Sequence, residues 1–571
     1  FMEYLQKGFQ LLSKQQKRKF YLFFFLSFIT LGFELLGIGL VLPFLDIIIN
    51  SEKINLYVSQ INNYGLENID NQNLVIFFIF LFLSIYTLKV IYLTFYSYFE
   101  IKYLFDLKTH SSNELFKIYL KKDYHFHKEN NSSELIRNVE DSRYIMILIR
   151  SLLRFFVEIV FFVSLVCLLG LLQPKITIIS ILFFGSVSFI FFRVIQNNAN
   201  IWGSKRAEYD GKKMKSILQG LGGIKEIKVL GKENLFLNHF SNNNLNSNLF
   251  SFKQDFVLNQ PRNWLEWLTI LCLLGLILFF FETGTKLNSI IPLLGLYAVA
   301  VYKMIPSISK IMNNFQNIKF CIPAMNPFLS EFKLMKNKSK VQKETIKKEI
   351  SFNKEIILDN LSFRFENSKK DTLLDINIKI KKGSYIGISG ESGAGKTTIM
   401  NLLLGLYKPT KGQILVDGID INENLGSWQS KIGYVPQNIY FIDDSIKKNI
   451  AFGYENNSIN EKRVLESLKL SKLYNFVSNL EKNIETNIGE LGDQISGGQK
   501  QRIGIARAFY NDPEILILDE FTSFLDKENE VEIAKEIREF RGEKTILMIS
   551  HSKEVLDLCD DIIKIKDGNI K

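Results

Sequence analysis

The chain runs to 571 residues, 47% of them hydrophobic, with 49 Phe, 22 Tyr and a formal charge of +11. That length exceeds one ordinary domain, and the four cysteines (Cys167, Cys272, Cys321 and Cys559) are scattered singly, which excludes a disulfide framework and a zinc site. The positive charge gathers in particular loops rather than on one basic segment, which argues against nucleic acid as a partner.

Most of the apolar content lies before about residue 310. Crossing a ~30 Å hydrocarbon core takes about 20 apolar residues. Runs of that kind occupy residues 20–49, 74–98, 146–172, 176–195, 264–281 and 290–306, so six spans are expected. The first run is too long for a cleaved leader. The connection over 100–144 carries eight Lys/Arg and that over 196–263 carries ten, whereas 50–72 holds only Lys53 against Glu52, Glu67 and Asp70. Positive residues mark the cytoplasmic side, so both long loops and both termini are expected there. Residues 1–332 read as the membrane domain and 333–350 as a basic linker without apolar periodicity. Residues 351–571 read as a soluble α/β domain.

In that last segment, "YIGISGESGAGKTTIMNLLLG" reads as a short apolar strand, a glycine-rich turn and a helix. The pattern G-x-x-x-x-G-K-T fits Gly390, Glu391, Ser392, Gly393, Ala394, Gly395, Lys396 and Thr397, followed by Thr398. Glycines let backbone N–H groups wrap an anion, and the helix N-terminus adds partial positive charge. Lys396 is expected to reach the outer phosphates of ATP, and the Thr397 hydroxyl to ligate Mg²⁺. Further on, "EILILDE" is a buried strand ending in Asp519, suited to Mg²⁺, and Glu520, suited to activating the attacking water. "TILMISH" is another such strand, and it ends in His551.

"GDQISGGQKQRIGIARAF" brings these pieces together, because from here the chain resembles the ATP-binding cassette (ABC) family. The family's signature is matched by Ile495, Ser496, Gly497, Gly498 and Gln499, with Ile where Leu is usual. The resemblance implies that Phe365 stacks on adenine and that Gln437 senses Mg²⁺ and the attacking water. It also implies that Asp526 ends a D-loop, with Phe524 where a small residue is usual, and that His551 meets the γ-phosphate. In this family the signature turn contacts the nucleotide held by a second subunit. A homodimer is therefore implied, and no essential motif is missing from this copy. Six spans followed by one cassette resemble an exporter-type half-transporter of the type IV fold: an α-helical membrane domain fused to an α/β P-loop ATPase, in the bacterial inner membrane with the cassette in the cytoplasm. Short coupling helices are implied near 130–137 and 222–232, and no periplasmic binding protein is expected.

The cargo is to be sought among charges in the apolar runs. Counted at ~1.5 Å per residue, Lys89 and Lys303 lie about 24 Å from the outer ends of their helices and Arg262 about 30 Å. Three cations at similar depth suit a phosphate or pyrophosphate headgroup. They equally suit snorkelling to inner-leaflet lipid, or pairing with Glu266 or a loop acid. The stretches around Lys89, Arg262 ("PRNWLE") and Lys303 ("YKMIPS") resemble the bacterial lipid-linked oligosaccharide flippases, which implies a lipid-pyrophosphate-linked oligosaccharide as substrate. A lipid A or multidrug exporter of the same fold is the alternative, and an ATP-gated channel or regulator a more distant one. Ile54, Tyr57, Val58 and Ile61 recur at helical spacing, so an external interfacial helix is also expected.

Overall fold

A computed structural model of the chain describes residues 12–39, 71–172, 198–282, 287–338, 349–366, 368–521 and 527–571, with a few single positions between them. Within the helices, the side chains of 71–75, 78 and 169, of most positions over 269–303, and of 332–338 lie outside the description. The expected external helix around Ile54 and most of the expected span 176–195 also lie outside it. The chain divides into two compact units: Phe1–Lys122 with His127–Val341, and Asp123–Phe126 with Gln342–Lys571. The second unit thus takes in four residues from the first long loop.

The first unit is helical. Its elements are α1 (Lys14–Gly39), α2 (Asn71–Leu120), α3 (Tyr124–Glu129), α4 (Ser132–Glu140), α5 (Arg143–Leu172), α6 (Asn198–Gly222), α7 (Ile224–Leu230), α8 (Glu233–Glu282) and α9 (Leu287–Lys338), with the start of α3 belonging to the second unit. The short helices α4 and α7 overlap the stretches 130–137 and 222–232 where coupling helices were expected. Helices α2 and α8 have 50 residues each and α9 has 52. At ~1.5 Å per residue such helices reach about 75 Å, far beyond a bilayer core, so they continue past the apolar spans into water.

Three stretches among the described residues are long and apolar enough to cross a membrane: Lys14–Gly37, Ile79–Leu120 and Ser132–Leu168. In the second of these only 6% of the apolar window is buried within protein. Phe80, Phe95 and Tyr98 stand out from it, which suits a lipid solvent rather than water. Some polar groups inside the bundle find backbone partners. Tyr92 donates its hydroxyl to Leu26 O at 2.6 Å, and Tyr103 donates to Gln16 O at 2.9 Å.

The second unit carries two sheets. One is antiparallel, in the order β2 (Leu373–Lys381), β1 (Glu355–Phe363), β4 (Lys411–Val416) and β5 (Ile419–Asp420). The other runs β10 (Asn569–Ile570), β9 (Asp561–Lys566), β3 (Tyr385–Gly390), β8 (Thr545–Ile549), β7 (Ile515–Asp519) and β6 (Ile432–Val435). From β9 to β6 every pairing in it is parallel. A parallel sheet is covered on both faces, which is why β7 and β8 are buried at every residue and read as unbroken apolar runs. Helix α10 (Lys396–Leu403) packs Ile399, Leu402 and Leu403 into the same core as Ile517 and Leu547. Beside it Trp428 is fully buried and donates its indole N–H to Leu403 O at 2.6 Å.

Candidate nucleotide site

The parallel register decides where the chemistry gathers. Strands β3, β8, β7 and β6 run side by side in one direction, so their C-terminal ends open on one edge. In open α/β sheets that edge is where ligands bind. Gly390 ends β3 and Asp519 ends β7; Glu520 and His551 follow within two residues of their strands, and Gln437 two residues after β6.

The turn after β3 is built for backbone approach. A Cβ on Gly390 would lie 2.3 Å from Ile565 O, and Gly395 has φ 104°, with its missing Cβ only 2.7 Å from a Leu373 methyl. No other residue fits either position without displacing its neighbours. Gly395 is the N-cap of α10, so the amides of the first helical turn face the loop unpaired, as an anion requires. Lys396 is buried and folds back over this loop, its Nζ donating to Gly390 O at 2.9 Å and Glu391 O at 3.1 Å. Thr397 is exposed at the same turn, and Thr398 is buried behind it. Glu391, Ser392 and Gly393 lie exposed along the loop, with Ala394 buried.

Three side chains expected to act on the γ-phosphate and water meet here. Gln437 Nε2 donates to Glu520 Oε2 at 2.8 Å, and His551 Nε2 lies 3.2 Å from Glu520 Oε1, where the Nε2–H tautomer donates. Both carboxylate oxygens of Glu520 are thus held. Glu520 itself takes a left-handed backbone with φ 44°, uncommon for a residue with a side chain. Asp519, next to it, is buried, and burial together with the charge of Glu520 pushes its carboxyl up to about 6, against the pull of Lys396. Such a carboxylate gains from a divalent cation, which would replace lost hydration. The hydroxyl of Thr397, the carboxylate of Asp519 and the amide oxygen of Gln437 are oxygen donors of the type Mg²⁺ takes.

Phe365 is half-buried, with its ring edge-on to Phe363 at 4.9 Å and to Tyr407 at 5.7 Å. Tyr407 also stacks on Phe363 and meets Tyr124 at 5.8 Å. The residue expected to stack on adenine therefore sits on an aromatic bed that sequence reading missed, although Tyr407 follows the P-loop helix closely. Ser496 caps helix α11 (Gly497–Phe509) and forms a capping box with Gln499. Ser496, Gly497, Gly498 and Gln499 line an open cleft with Lys472 and Arg502, and no residue of the 390–398 loop lines it. Asp526 lies outside the described residues.

The three expected substrate cations behave differently. Lys89 is buried and its Nζ lies 2.9 Å from Glu34, and Arg262 pairs with Glu266 at 2.8 Å in an exposed position. The side chain of Lys303 lies outside the described residues. Two of the three are thus paired with acids rather than presented as bare cations. Glu34 was missed as a partner, although an acid inside the apolar run "GFELLG" is itself a signal.

Comparison with known proteins agrees with both units. Residues 20–288 match the ABC transporter transmembrane region, and residues 373–523 match the ABC transporter family. A putative multidrug export ATP-binding/permease protein of Staphylococcus aureus (strain NCTC 8325 / PS 47) is 39% identical over 216 residues, 38% of this chain and 37% of that protein. Its counterpart in the bovine strain RF122 / ET3-1 is 38% identical over 212 residues, 37% of this chain and 36% of that protein. Each alignment therefore spans little more than a third of the relative. Among solved structures, a bacterial Atm1-family ABC exporter with ATP bound is similar in fold, with a TM-score of 0.76 at 20% identity, covering 98% of this chain and 94% of that one. The chain therefore carries both parts of an ABC half-transporter, a helical transmembrane domain and a C-terminal ABC ATPase.

Proposed function

We propose that the protein is an ATP-driven exporter of the bacterial inner membrane that works as a homodimer and moves an amphipathic substrate outward. One observation carries the ATPase part: Gln437, Glu520 and His551 converge on one carboxylate at the strand edge that also holds the P-loop. In this reading the P-loop amides and Lys396 bind the phosphates of ATP, and Thr397, Asp519 and Gln437 hold Mg²⁺. Bound there, the ion would neutralise developing phosphate charge. Glu520 orients and activates the water, and His551 holds the carboxylate in place and faces the γ-phosphate. The signature turn lines a cleft separate from its own P-loop, which fits a site completed by a second copy.

For the cargo, the names of the staphylococcal relatives favour a multidrug-type amphipath. The lipid-pyrophosphate-linked oligosaccharide is the second reading, resting on Lys89, Arg262 and Lys303. The pairing of Lys89 with Glu34 weighs against it, since a neutralised ammonium offers a pyrophosphate less. The test is ATP-dependent transport in proteoliposomes of the full chain. A hydrophobic drug, lipid A and a lipid-pyrophosphate glycan would be compared. Transport of none of them, with ATP turnover intact, would overturn the exporter reading in favour of a gate or regulator.

A further inference from the structure

Within the first unit a cavity of about 620 Å³ opens between α1, α2, α5 and α9. Its wall holds three carboxylates, Glu34, Glu100 and Glu158, and two cations, Arg154 and Lys310. Each acid is already engaged. Glu34 meets Lys89 at 2.9 Å, Glu100 meets Arg154 at 3.5 Å, and Glu158 meets Lys310 at 2.8 Å. The acids are the more enclosed partners at the last two pairs: Glu100 is 3% and Glu158 15% exposed, against 46% for Arg154 and 59% for Lys310. Leu93, Leu153 and Val157 supply apolar wall between them.

Resting on the exporter reading above, we propose that this cavity is the substrate site and that it takes an amphipath carrying both charge signs. An enclosed carboxylate that loses its cation is left uncompensated, which is strongly unfavourable. An anionic ligand drawn to Lys310 or Arg154 strands an enclosed carboxylate, and a cationic ligand drawn to Glu158 meets the Lys310 ammonium there as a like charge. A ligand with both signs inserts into the pair and compensates each half.

The surroundings orient it. Asn313, in the wall one turn from Lys310, has a buried Oδ1 with no hydrogen-bond partner among the described residues, and its partial negative charge suits an ammonium group beside Glu158. Arg150 lies within electrostatic reach of Arg154 and Glu100, which makes that end the more positive one. The ligand's ammonium therefore sits at Glu158 and its anionic group at Arg154, with the alkyl part along the leucines. A cavity of this size takes a headgroup with a short tail.

The experiment uses the purified full chain in maltoside micelles and three probes with one tail: hexylphosphocholine, hexyl phosphate and hexyltrimethylammonium. Calorimetric titration should rank hexylphosphocholine roughly ten-fold tighter than either single-charge probe. Replacing Glu158→Gln together with Lys310→Gln should erase that ranking, whereas the exchanged pair Glu158→Lys with Lys310→Glu should keep it. Equal affinity for the three wild-type probes, tighter binding of a single-charge probe, or an unchanged ranking in the neutral pair overturns the proposal. The wild-type ranking needs no variant to fold. ATP turnover is measured separately, so absent turnover with an intact ranking overturns the exporter reading and leaves the ligand class standing.

Discussion

The carboxylate of Glu520 lies 3.2 Å from Nε2 of His551, although the two residues leave different strands. They meet because β7 and β8 are parallel neighbours with Asp519 opposite Ile549. A histidine that is unremarkable in the sequence is thereby set against the carboxylate proposed as the base. Gln437, arriving after β6, fixes the other oxygen.

Glu520→Gln keeps the shape of the side chain and removes the base. ATP binding should persist while turnover falls by roughly 10²–10⁴-fold, the usual range for losing a positioned base. Single-turnover hydrolysis with labelled ATP measures this, and a rate near wild type would remove Glu520 from the assigned role.

His551→Ala should also slow turnover, because it frees one oxygen of the Glu520 carboxylate. If the histidine acts only by holding Glu520, combining the two substitutions should slow turnover little beyond Glu520→Gln alone, since residues acting as a unit are not additive. A double variant slower by the product of both effects would give His551 an independent part.

Asp519 has its carboxyl raised to about 6 by burial and by Glu520. The folded domain without Mg²⁺ therefore keeps this proton up to about pH 6, whereas the unfolded chain releases it near pH 4. Over that window the folded state binds more protons, so its stability falls as pH rises, by on the order of 3 kcal/mol in all. Mg²⁺ and ATP should reverse the trend, because the cation takes the ionised form. Thermal unfolding at pH 5 and pH 7, with and without MgATP, checks it. Asp519→Asn should flatten both profiles.

Lys89→Met strands Glu34 beside it, and breaking such a pair costs about 3–5 kcal/mol. Adding Glu34→Gln should recover most of the lost stability in detergent, read as the melting temperature. Transport should recover along with stability, and a double variant that is stable yet deficient in transport would show that Lys89 serves mainly to bind an anionic headgroup.

Trp428 holds the end of the P-loop helix through its indole N–H. Trp428→Phe leaves Leu403 O without that donor, a loss of about 1–3 kcal/mol. Denaturant unfolding monitored on the cassette measures it, and ATP affinity should fall along with stability.

Much of the nucleotide site was legible in the chain order of residues, because its parts are local. A strand, a glycine turn and a helix start specify the phosphate loop within about a dozen positions, and buried parallel strands announce themselves as apolar runs closed by acids or a histidine. The apolar runs that begin at residues 20, 74 and 146 were legible for a similar reason, since lipid selects composition rather than partners, and each overlaps a stretch long and apolar enough to cross a membrane. What lay beyond reach depends on who stands opposite whom. The pairing of Glu520 with both Gln437 and His551, the aromatic bed of Tyr407 beneath Phe365, and above all the capture of Lys89 by Glu34 join residues dozens of positions apart. Charge and hydrogen bonding act through space over a few ångströms. A lone lysine in an apolar run therefore has no defined role until the packing of helices sets an acid beside it.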